Sequence, residues 1–272
     1  MYIYHFPVQA TMRNSISLDG IVLRSVDMDK TRNFYQALLN TEFKREQHES
    51  GPAHYAARPE MFPLLEIYPC KKAVNPPSPI LTFRALRQSI INERIQHFLP
   101  QEMKQLDYNQ WQFPDPDGRM ICLVQDKKAE EYIEFKSVGL LCNHLDAAKE
   151  FYGSLFGEEA LVCKETALSS TGKAIRVKYF FSPAGSSPYK LELHSSDALV
   201  VPASPSLLFQ VHDLDHFIDK FGERVQEKKE SPHLRQITLY DTDGRKVYLH
   251  QAVPEPSWLD RLGQYLESKR QD

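Results

Sequence analysis

An internal repeat constrains this chain more than any other feature. Residues 18–43, LDGIVLRSVDMDKTRNFYQALLNTEF, return as residues 135–160, FKSVGLLCNHLDAAKEFYGSLFGEEA, with Asp29 opposite Asp146, Phe34-Tyr35 opposite Phe151-Tyr152 and Asn40 opposite Gly157. A second pair alternates with them. SPILTFRAL at 78–86 matches SPSLLFQVH at 204–212, and each leads to an acidic glycine turn feeding a strand, DPDGRMICLV at 115–124 and DTDGRKVYLH at 241–250. Self-similarity of this kind means copies of one supersecondary unit, none of which buries its apolar face alone.

The local pattern gives the unit's content. An alternating apolar run reads as a strand, and Asp then opens a helix whose apolar positions (Ala147, Phe151, Leu155 and Phe156 in the later copy) recur at helical spacing up to Gly157 as the C-cap. Three strand-like runs follow: FKREQHES, AHYAARP and PLLEIYP in one copy, ALVCKE, IRVKYFF and YKLELHS in the other. The unit is βαβββ, the chain holds four of them, and the fold class is α+β. The sequential reading makes a first domain of residues 1–125, with units at roughly 16–70 and 78–125, and a second of residues 133–272, with units at roughly 133–197 and 204–252 and a C-terminal helix. The charged segment DKKAEEY at 126–132 reads as the linker, and the proline-rich AVNPPSP and VVPASP as joints within each pair.

Composition sets the remaining bounds. With 272 residues, 42% of them hydrophobic, the chain can build two cores, and a net charge of -3 leaves no electrostatic footprint for nucleic acid or an anionic membrane. Four cysteines without a CxxC pair, and an N-terminus without a basic leader or an apolar run, lead us to expect a cytoplasmic protein.

The strand, the Asp, the helix bearing Phe-Tyr and ending in Gly, and the later DPDG turn together resemble the vicinal oxygen chelate superfamily, which includes glyoxalase I, bleomycin-resistance and fosfomycin-resistance proteins and extradiol dioxygenases. The resemblance spans roughly residues 16–252. It implies paired units curved into cup-shaped mixed sheets with the helices outside. It also implies a divalent ion held by one ligand in the first strand and one in the last strand of each unit. Those positions carry Gly20, Glu66, Ile80 and Cys122 in the first half and Ser137, Glu192, Ser206 and Tyr248 in the second, so Glu66 and Glu192 alone remain good ligands.

Residues two apart on a strand share a face. In the first expected cup this gathers Arg24, Glu66 and Arg84 among apolar walls. Either the arginines neutralise Glu66 as a structural network, or one guanidinium is free for an anionic ligand. In the second it gathers Ser137, Glu192, His194, Ser206, Gln210, His212, Tyr248 and His250, a polar surface. Glu192, His194, His212 and His250 are the set that a relocated metal would use. Cys122 reads as strand packing, His48 and His54 as residues of a hairpin edge, and the Phe-Tyr pairs as the seam of helix on sheet. No phosphate-binding glycine loop, HExxH or GxSxG occurs.

The expected function is therefore a small-molecule-binding protein, monomer or homodimer, with the second cup as its site and no predicted cofactor, a divalent metal remaining open. The alternatives are a glyoxalase- or dioxygenase-like enzyme, metal-dependent or using Glu192 as base, and a scaffold whose cups bind nothing.

Overall fold

The computed structural model describes residues 16–252 except 48–50, 60–61, 73–78, 88, 90–92, 95–103, 128, 130–132, 158–160, 169–173, 182–188, 196–204 and 232–233. The expected C-terminal helix, His48 and the first fifteen residues lie outside this set. The first unit is β1 (Ile16–Ser25), α1 (Met28–Leu39), β2 (Lys44–Glu46), β3 (His54–Ala57) and β4 (Leu64–Pro69). The second contributes β5 (Ile80–Ala85), β6 (Lys104–Asp107), β7 (Gln110–Pro114) and β8 (Met120–Gln125), its helical segment falling mostly outside the described residues. The third is β9 (Glu134–Cys142), α2 (Leu145–Phe156), β10 (Leu161–Leu168), β11 (Ala174–Phe181) and β12 (Lys190–Ser195). The fourth is β13 (Ser206–Val211), α3 (Leu214–Phe221), β14 (Glu227–Glu230), β15 (Leu234–Tyr240) and β16 (Lys246–Ala252).

Local chemistry sets the helix ends. Asp27, not Asp29, caps α1 by accepting from the Lys30 amide at 3.0 Å, and Asp213 caps α3 in the same way. Asn40, at φ 51°, ends α1 in the left-handed conformation, which asparagine tolerates better than most residues.

The strands form two mixed eight-stranded sheets, ordered β14-β15-β16-β13-β1-β4-β3-β2 and β10-β11-β12-β9-β5-β8-β7-β6. This corrects the sequential pairing of units. The first unit shares a sheet with the fourth, through the antiparallel ladder from Ile16↔Val211 to Val22↔Ser206. The second shares one with the third, from Ile80↔Gly139 to Arg84↔Glu134. Segments 1–125 and 133–272 therefore do not each own a sheet. The repeat could not reveal this, because all four copies present the same kind of strand edge and any two of them could pair antiparallel.

Consecutive units instead meet through their turns. Tyr35 of α1 donates to Asp115 at 2.9 Å, Arg119 pairs with Asp115 at 2.6 Å and donates to the Arg24 carbonyl at 2.6 Å, and Asp117 accepts from the Val26 amide and the Thr31 hydroxyl. The third and fourth units repeat the arrangement. Tyr152 donates to Asp241 at 3.0 Å, Arg245 bridges Asp241, Asp243 and the Leu141 carbonyl, and Asp243 accepts from the Asn143 amide. The recurring Phe-Tyr and DxDGR motifs are thus two halves of one lock, with Phe34 against Phe113 beneath it in the first copy. Burial holds both phenols protonated well above the ordinary range.

Candidate functional site

In the first sheet Ile21, Leu23, Leu65, Ile67, Leu207 and Leu249 are fully buried on the helix side, so the alternate residues line the open face. Register places His54, Tyr68 and Arg24 in one row across β3, β4 and β1. The His54 ring stacks on Tyr68 at 4.2 Å, and the Arg24 guanidinium lies over the same ring at 5.4 Å. In the next row Glu66 stands beside Val22 and Ser206, with its carboxylate 3.7 Å from His54 Nε2. Tyr248 and Thr238 enter from β16 and β15. Burial, then the charges of Glu66 and Tyr248, push the Tyr68 phenol up to about 12, so it remains a donor at neutral pH. A register shift between Leu18 and Gly20 accommodates Asp19, which pairs with His250 at 3.1 Å and Arg58 at 2.9 Å. The bond from His250, with Arg58 and against the cost of burial, holds the Asp19 carboxyl far below its usual range.

The second sheet carries a different set. Glu192 accepts a hydrogen bond from the fully buried Ser137 hydroxyl at one oxygen and meets His194 Nε2 at 3.2 Å with the other. Ile80, Met120, Cys122, Leu141 and Phe180 stand around them, each half-buried, and the Gln112 amide donates to the Cys122 sulfur at 3.3 Å.

Several sequence assignments change. The expected second cup is divided: Ser137, Glu192 and His194 face the second sheet, whereas Ser206, Gln210, Tyr248 and His250 belong to the first. For the same reason Glu192, His194, His212 and His250 do not converge on a metal. His212 follows the end of β13 and is exposed. The network of Arg24 and Arg84 around Glu66 does not form either. Arg84 lies in the other sheet, bonded to Glu134 at 2.5 Å and 3.8 Å from Asp126, while Glu66 faces His54. Sequence reasoning placed His54 at a hairpin edge. The signal it missed was that His54 lies opposite Tyr68 across the hairpin, which fixes its face.

No protein-family profile and no curated protein matches the sequence. Among solved structures, glyoxalase I of Zea mays superposes with a TM-score of 0.62 at 16% identity, covering 92% of this chain and 95% of that one. A single-site variant of that enzyme gives 0.66 at 15%, covering 92% and 96%. The chain has the vicinal oxygen chelate fold. A Bacillus subtilis protein whose naming as a dioxygenase is itself provisional gives 0.59 at 14%, covering 89% and 87%. Likeness at these identities fixes the fold and leaves the chemistry to the side chains.

The divalent ion that the resemblance implies does not fit these side chains. The implied positions regroup as Gly20, Glu66, Ser206 and Tyr248 in one sheet and Ile80, Cys122, Ser137 and Glu192 in the other. Each set has one carboxylate, where a catalytic divalent ion normally takes about three protein ligands. At Gly20 the missing side chain is replaced by Leu208, whose Cβ and Cδ2 would both stand 3.3 Å from any added Cβ. Glu192 has both oxygens engaged within the protein. Among the described residues no group of three or more His, Cys, Asp or Glu is placed to hold a metal, and no helix is long and apolar enough to cross a membrane.

Proposed function

We propose that the chain binds a small organic anion on the open face of the first sheet, without the divalent ion that the resemblance implies. The observation that carries this reading is the state of Arg24. Its guanidinium rests on Tyr68, and no carboxylate among the described residues forms an ion pair with it. A guanidinium backed by an aromatic face, on a sheet face that also carries Ser206 and Tyr248, suits bidentate capture of a carboxylate or phosphate. The site therefore belongs to the first and fourth units rather than to the second half of the chain.

The rival reading, an enzyme of glyoxalase or dioxygenase type, draws on the fold likeness. One set of measurements separates the two: native mass spectrometry and elemental analysis of untagged protein, then a thermal-shift screen of organic acids on wild type, Arg24→Gln and Glu192→Gln. Binding in the first sheet predicts that Arg24→Gln loses the shift and Glu192→Gln keeps it. One tightly held transition metal per chain, lost together with an activity on chelation, refutes the reading.

A further inference from the structure

The helix sides of the first and third units carry recesses at matching places. Asn33, Gln36, Ala37 and Asn40 border one of about 500 Å³ at α1. At the corresponding positions of the repeat, Glu150, Gly153, Ser154 and Gly157 border one of about 710 Å³ at α2, which Lys149, Phe181 of β11 and Lys220 of α3 complete. The two helices are otherwise seated alike. Tyr55 donates to Asp29 at 2.7 Å beneath Arg32, and Tyr179 donates to Asp146 at 3.2 Å beneath Lys149, whose ammonium lies 5.1 Å from the ring centre. The recesses therefore differ through their side chains: Gly153 replaces Gln36, and Phe181 stands where the first unit has Ala57. Gly157, at φ 92°, occupies a conformation that favours glycine. Gly153 has no such reason. It lies inside α2, and a Cβ there would meet nothing outside its own helix nearer than Phe181 Cε1 at 4.0 Å. A poor helix former is kept where packing does not demand it, and its effect is to leave the recess open towards Phe181.

We propose that the recess at α2 binds an amphipathic organic monoanion, at a site separate from both open sheet faces. Its volume falls within the roughly 300–1,000 Å³ of ligand pockets. The apolar body of the ligand lies over Gly153 against Phe181, and its carboxylate or sulfonate pairs with Lys149 and Lys220. Neither lysine forms an ion pair among the described residues, and Glu150 is the single carboxylate bordering the recess. Two ammonium groups against one carboxylate match a single negative charge, and the Tyr179 ring steadies Lys149. The recess at α1, bordered by Glu42 and by no cation among the described residues, does not suit such a ligand.

The probe is 8-anilinonaphthalene-1-sulfonate, whose fluorescence rises in apolar surroundings. All measurements use the full chain in an Arg24→Gln background, so that failure here is distinct from failure of the anion site. This parent should show one saturable site, and titration should shift the amide resonances of Gly153 and Gly157. Gly153→Gln, which supplies the residue of α1, should weaken binding at least about tenfold. It should also melt no lower than the parent, because glutamine is the better helix former. Lys149 is half-buried and Lys220 exposed, so replacing them leaves the core untouched. Lys149→Gln and Lys220→Gln should each weaken binding about threefold and together about tenfold, with the differences shrinking as salt is raised. Undiminished binding by Gly153→Gln, binding indifferent to both lysine changes, or no saturable binding by the folded parent overturns the proposal.

Discussion

Replacing Arg245 by methionine tests whether the turn locks hold the units together through charge. The guanidinium is fully buried, 2.8 Å from Asp241 and 3.0 Å from Asp243, whose side chains are 0% and 1% exposed. Removing it strands two carboxylates in the interior and frees the Leu141 carbonyl. Breaking a buried ion pair from one side costs about 3–5 kcal/mol, on the order of 10 °C in Tm for a chain of this size. Tyr152→Phe removes one donor to Asp241 and leaves Arg245 in place, so its cost should be about 1–2 kcal/mol. Thermal and urea unfolding followed by circular dichroism give both values. A double variant separates charge from packing: adding Asp243→Asn to Arg245→Met removes one of the stranded charges and should recover part of the loss. No recovery, or Arg245→Met no worse than Tyr152→Phe, refutes the reasoning.

Gly139→Ala would push a Cβ to 2.9 Å from His194 Nε2 and 3.1 Å from Ile80 Cβ, so it should destabilise by about 1–3 kcal/mol. Gly20→Ala, with its nearest neighbours at 3.3 Å, should cost less in the same melting assay. The depressed pKa of Asp19 means its stabilisation is complete above the unfolded-state value and is lost progressively as pH falls from there through the folded-state value. Asp19→Asn should therefore melt below wild type at pH 7, with the difference closing below about pH 4; a constant gap would count against the His250 and Arg58 pairing.

The units, their βαβββ content and the fold class were legible because the repeat imposes one pattern at four places, and each carries its own turn chemistry. Partnership between units was not, since a strand edge has no sequence address when four similar edges compete. That error moved Ser206 and Tyr248 beside Glu192 when they belong with Glu66. Strand parity still found Arg24, Glu66 and His194 on open faces, because the period of two survives any choice of partner. It could not foresee that Arg84 would turn to Glu134 or that Leu208 would fill the space at Gly20. Both depend on neighbours across the sheet.

The interleaved pairing also orders events during synthesis. Ile80 meets Gly139 across the second sheet, but Ile16 must wait for Val211 before the first sheet can close. The middle units can join while the chain is still being made. The first unit is held meanwhile by its lock to the second and by Phe62 packed against Phe83 and Phe135, with the edge of β1 unpaired. Closing the longer loop costs only slowly growing entropy, but such non-local pairing is late and leaves an exposed edge during the wait. The face that carries Arg24 and Glu66 is therefore completed only when the fourth unit emerges, which would make the proposed binding at Arg24 a report on closure of the first sheet.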